Sequence, residues 1–114
     1  MNNSFNPGTM QVAIDEGADR LEKAADALYE ATVKAGNAEL EFQRARLMFL
    51  AGLHRTMDRL PAQDIRDALV KEAVGEVWDA FYIAKYEQEA IEKRYRALAA
   101  SVNARQSLLR ARGA

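Results

Sequence analysis

Apolar residues recur along this chain with a seven-residue period in both halves. In the first half Ile14, Leu21, Leu28, Ala35, Phe42, Phe49 and Thr56 stand seven apart, and three positions after each come Gly17, Ala24, Ala31, Ala38, Ala45, Gly52 and Arg59. Large residues alternate with small ones, so the pattern predicts a helix whose seam admits a partner helix more closely than leucine on leucine would. In the second half Val70, Val74, Val77, Phe81, Ala84, Gln88, Ile91, Tyr95, Leu98, Val102, Arg105 and Leu109 alternate steps of four and three, interrupted only by Gln88 and Arg105. Leu60-Pro61 separates the two stripes, because the residue before proline is pushed out of the α region while proline suits the first helical position. The fold expected is all-α: a long, coiled-coil-like antiparallel hairpin of two helices. Residues 10–114 form its single domain, with the turn near residues 58–62. At 1.5 Å per residue, helices of about 50 residues would each span roughly 75 Å.

Three details test that pattern. Gly36-Asn37 could end a helix in the left-handed conformation, but the heptad phase passes from Leu28 through Ala35 to Phe42 without slipping, which predicts a continuous helix. Gly75 interrupts nothing in the second stripe and is expected inside its helix, at about 1 kcal/mol relative to alanine. Residues 1–9, rich in Asn with Ser, Pro and Gly, bury little surface and are expected to form a flexible arm. That opening has neither the basic flank nor the apolar stretch of a secretion signal. The longest apolar run, Leu47 to Leu53, is far too short to span a bilayer. A cytoplasmic protein with no membrane partner is the expectation.

Composition removes several function classes. The 114 residues include no Cys and one His, which leaves no disulfide framework, thiolate nucleophile or zinc ribbon. Six scattered glycines draw no dinucleotide or phosphate-cradling loop. The lone His54 has Ala51, not Glu, three positions before it, so the Glu-x-x-His metal pairs of helical bundles are missing. Glu39 with Glu41, and Glu87 with Glu89 and Glu92, read as solvated faces rather than acid–base pairs. No enzyme, no cofactor, no metal site, no catalytic residue and no small-molecule substrate is expected.

The net charge of -1 conceals strong segregation. Residues 10–42 carry -5, 43–60 carry +3, 61–92 carry -5 and 93–114 carry +6. Each expected helix thus begins acidic and ends basic, as its dipole prefers, and folding at Pro61 lays the basic end of each beside the acidic start of the other. The C-terminal bases Lys93, Arg94, Arg96, Arg105, Arg110 and Arg112, with Tyr95 interleaved, are the candidate nucleic-acid contacts, single-stranded nucleic acid being the form considered. Arg110 and Arg112 are expected to reach past the partner helix and stay free.

A second stripe lies beside the main seam. Trp78, Tyr82 and Tyr86 flank Phe81, and Leu47, Leu50, His54 and Met57 do the same on the first helix. One seam of a two-helix hairpin cannot cover both, so Leu47, Leu50, Met57, Trp78, Tyr82 and Tyr86 are candidate interface residues. Homodimerisation into a four-helix bundle, a different protein partner anchored on Trp78, and base stacking all remain open, with the dimer favoured.

The ending Tyr86-Glu-Gln-Glu-Ala-Ile-Glu-Lys-Arg-Tyr-Arg-Ala-Leu to Arg105-Gln-Ser-Leu-Leu-Arg-Ala, after an Ala-rich acidic first helix, resembles small α-helical hairpin accessory proteins of tailed phages. These are associated with recombination and replication genes. The resemblance implies a non-enzymatic accessory protein of DNA recombination or replication, in the host cytoplasm, with no catalytic residues to carry over. The same build suits a protein inhibitor of a host enzyme or defence system, an anti-CRISPR-like role, or a purely structural coiled-coil assembly protein.

Overall fold

The computed structural model describes residues 7–113 and, among them, contains three α-helices and no strand. Helix α1 is Pro7–Thr56, α2 is Gln63–Ala73 and α3 is Gly75–Gly113. The all-α expectation is met, and the two-helix count is corrected to three. Residues 1–6 of the expected arm lie outside the described residues, but Pro7, Gly8 and Thr9 belong to α1. Pro7 holds the first helical position, where its missing N–H is no loss. Helix α1 therefore starts without an acid in its first turn, unlike α2 with Asp64 and α3 with Glu76.

Helix α1 runs through Gly36-Asn37 unbroken, as its phase predicts. It ends at Thr56, whose hydroxyl donates back to the Gly52 carbonyl at 3.0 Å. The turn is longer than its sequence expectation, with residues 57–62 non-helical and Pro61 two residues before α2. The Arg66 N–H to Ala62 carbonyl bond, 2.9 Å, begins the α2 ladder.

The unexpected break lies at Val74, with φ -118° and ψ 28°. It is a narrow interruption: the Val74 N–H still reaches the Val70 carbonyl and the Trp78 N–H the Val74 carbonyl, both at 2.9 Å. Gly75 beside it is the poorest non-proline helix former, so stopping a helix here sacrifices little propensity. In exchange Val70 is buried to 2% exposure with Phe42 and Val74. Full burial of such a side chain stabilises by about 1.5–3 kcal/mol, enough to outweigh one poorly helical residue.

The chain divides into two compact units, Met1–Glu30 with Glu89–Ala114, and Ala31–Gln88. In the first, α1 and α3 form a two-helix layer in which Ile14, Gly17 and Val102 are buried. A Cβ on Gly17 would stand 2.9 Å from Val102 Cγ2, so glycine here is what lets the helices touch. In the second, Phe42, Val70 and Val74 form the buried centre, with Ala45, Phe49, Leu50, Val77, Trp78 and Phe81 packed around it. The seam predicted from Val70 to Phe81 is thus correct in its members, although the helix carrying them is not continuous. Gln88 Nε2 donates to Thr32 Oγ1 at 3.1 Å and Lys34 pairs with Glu87 at 3.3 Å, so α1 and α3 run antiparallel in this unit.

Candidate protein-binding surface

The interface candidates all belong to the Ala31–Gln88 unit, where a chain of aromatic contacts leads from core to solvent. Phe42, buried on α1, meets Trp78 edge-on at 5.0 Å and stacks with Phe81 at 5.7 Å. Trp78 stacks on Tyr82 at 5.7 Å, and Tyr82 continues to Tyr86 at 6.4 Å. Spacing by four on α3 puts 78, 82 and 86 on one face. Exposure rises along it, from the half-buried Trp78 through Tyr82 at 38% to Tyr86 at 64%.

The six candidates therefore divide. Trp78 and Leu50 are half-buried and pack against the unit's own core. Leu47, Met57, Tyr82 and Tyr86 are exposed. Part of the second stripe, Leu50 and Trp78, is packed against a cluster to which α2 supplies Val70. A third helix within the same chain removes part of the geometric need for a four-helix bundle.

Helix α2 leaves an open cleft of about 380 Å³ bounded by Phe42, Val70, Trp78 and Tyr82 on the apolar side and Gln43, Arg46, Gln63 and Asp67 on the polar side. Its rim is braced along α2, with Gln63 donating to Asp67 at 3.0 Å and accepting from Arg66 at 2.8 Å. The Arg66 Nε is buried without an acceptor. These polar residues carry no sequence signal, because their role comes from where α2 turns back. Other exposed apolar residues also escape the stripe reading: Met48 at 76% and Ile83 at 59%, besides Val33 and Leu40. Counting positions outside the seam, not only those beside it, would have found them.

The six basic candidates in the Met1–Glu30 and Glu89–Ala114 unit are similarly unequal. Arg96 is held by Glu92 at 2.7 Å along its own helix. Arg105 is half-buried with a guanidinium nitrogen 3.8 Å from where a Gly17 Cβ would lie. Arg112 also has a partner, contrary to the expectation that it stays free. Lys93, Arg94 and Arg110 are exposed and form no ion pair among the described residues.

Among the described residues no helix is long and apolar enough to cross a membrane. No protein-family model matches the chain, and neither a curated protein nor a solved structure matches it.

Proposed function

We propose that the protein is a non-enzymatic accessory factor that works by binding another protein through the exposed end of its aromatic row, in the phage recombination or replication setting that its sequence resembles. The observation that carries the binding reading is the placement of Tyr82, Ile83 and Tyr86 at 38%, 59% and 64% exposure on α3, directly continuous with a well-packed aromatic core. Large aromatics fixed from below lose little side-chain entropy on docking, which is why such residues dominate binding energy at protein interfaces. Leu47 and Met57 belong to the same unit and extend its apolar exposure.

A direct contact with single-stranded DNA is the second reading, favoured by the exposed Lys93, Arg94 and Arg110. Two measurements separate the readings. In affinity capture from host extract, a Tyr82→Ala/Tyr86→Ala variant should lose the protein that the wild type retains, while Lys93→Ala/Arg94→Ala should keep it. Equal capture by the tyrosine variant and the wild type would refute docking on this row. Binding to single-stranded DNA that disappears with the Lys93 and Arg94 substitutions would support the second reading instead.

A further inference from the structure

The cleft beside α2 sets an aromatic wall against hydrogen-bond donors that lack acceptors. Trp78 stacks on Tyr82 at 5.7 Å and meets Phe42 edge-on at 5.0 Å, and all three rings border the cavity of about 380 Å³. That volume is in the range of small-molecule sites. A narrower recess of about 60 Å³ shares Arg46, Gln63, Asp67 and Val70 with the cleft and adds Leu50 and Arg66, so the two adjoin.

The arginines are what the packing leaves unanswered. Arg46 is half-buried and forms neither an ion pair nor a hydrogen bond among the described residues. A guanidinium carries five N–H donors and no acceptor, so none of its needs is met by the protein. Arg66 donates through Nη2 to Gln63 Oε1 at 2.8 Å, but its Nε is buried with no acceptor. Leaving a buried donor unpaired costs stability until an acceptor arrives. Asp67 is the carboxylate bordering both spaces, and its Oδ1 already accepts from Gln63 at 3.0 Å. Two cations against one anion leave room for one further acceptor of single negative charge.

We propose that the cleft binds an aromatic carboxylate, its ring against Trp78 and Tyr82 and its carboxylate in the recess against Arg46 and Arg66. Rings gain from offset or edge-on contact with other rings, and guanidinium–carboxylate pairs are among the stronger hydrogen bonds. Phosphate is disfavoured, because its second charge would meet Asp67 in a stretch, residues 61–92, that carries -5. The same chemistry is offered by a free aromatic acid and by the C-terminal aromatic residue of another chain. The site goes beyond the docking row: it does not use Tyr86 and fills without a protein partner. Sequence alone gave no reason to expect it, since Gln63, Arg66 and Asp67 acquire their role only when α2 lies beside Arg46.

The chain has one tryptophan, so the NMR spectrum of the isotopically labelled full chain shows a single indole N–H resonance, which reports the cleft. Indole-3-acetate should shift it with half-saturation at about 1 mM or below. Indole-3-acetamide, the same ring without the charge, should bind about tenfold more weakly or worse. Arg46→Gln should weaken indole-3-acetate binding about tenfold or more, and Asp67→Asn should strengthen it about threefold by removing a like charge. Arg44→Gln, outside the cleft, should change nothing, and circular dichroism should show the same helix content in every variant. A short peptide ending in a free phenylalanine carboxylate distinguishes the sources: tighter binding than indole-3-acetate assigns the site to a chain end, weaker binding to a free acid, and either supports it. No shift with either probe up to about 10 mM, equal binding of acid and amide, or full binding by a folded Arg46→Gln variant would overturn the proposal.

Discussion

The two units are built from the same two long helices and reach different solutions to burial. In the unit of Met1–Glu30 with Glu89–Ala114, two helices meet along one seam, and close approach is secured by a missing side chain, Gly17 against Val102. In the Ala31–Gln88 unit a third helix, α2, adds a second seam, and aromatic rings occupy the space that results. A pair of helices can surround only a thin line of residues, so it gains by bringing backbones together. Three helices enclose a volume, so they gain by filling it.

The sharpest test of that difference is truncation of the two cores. Phe42→Ala empties the centre of the three-helix unit and should cost about 3–5 kcal/mol. Ile14→Ala, at an equally buried site of the two-helix layer, should cost about 2–3 kcal/mol, because a thin layer collapses more readily onto the gap. Urea unfolding followed by far-ultraviolet circular dichroism measures both. Equal losses would mean that the two-helix layer is as tightly enclosed as the other unit.

Glycine substitutions probe the same contrast at smaller scale and with opposite signs. Gly52 has open space where its Cβ would be, so Gly52→Ala should raise stability by about 1 kcal/mol through helix propensity alone. Gly17→Ala gains that same propensity but drives a methyl to 2.9 Å from Val102 Cγ2. Val102 is β-branched and cannot swing aside cheaply, and overpacking typically costs 1–3 kcal/mol. A net loss of about 1 kcal/mol in thermal or urea unfolding is expected for Gly17→Ala. A gain at both positions would remove close approach as the organising feature of the two-helix layer.

Electrostatic effects should be smaller. Lys34 and Glu87 pair at 3.3 Å with side chains 67% and 52% exposed, and a double-mutant cycle should return no more than about 0.2–1 kcal/mol. For the basic surface of the other unit, three unpaired bases rather than six imply that any single-stranded DNA affinity falls with salt at a log–log slope near -2. A slope steeper than about -4 would require Arg96, Arg105 and Arg112 to leave their present contacts.

Helical class, the joint at Pro61 and the members of the central seam were all readable from residue order. The passage of α1 through Gly36-Asn37 was readable too, because Leu28, Ala35 and Phe42 keep phase across it. Helix α2 was not. Val70, Val74, Val77 and Phe81 satisfy a straight helix as well as a broken one, and the heptad period reports which residues turn inward without reporting how many helices meet them. The start of α1 was misread for a related reason: Pro7 serves a first helical turn as readily as it serves a loose arm.

The candidate surfaces were legible in the same partial way. Tyr82, Tyr86 and Leu47 were identifiable as apolar residues off the seam, and they are exposed. Trp78 and Leu50 share that pattern and yet lie against the core, and Arg96, Arg105 and Arg112 are no less basic in sequence than Lys93. Sequence by itself determined which residues favour helix, where the chain must turn and which side of each helix is apolar, because these follow from local backbone preference and periodicity. Only the tertiary structure decided that α2 turns back, that Trp78 is half-buried and that Tyr86 is exposed. Those outcomes depend on a competition between one stretch of helical ladder and the burial of Val70 against Phe42, residues too far apart in the chain for any local pattern to compare.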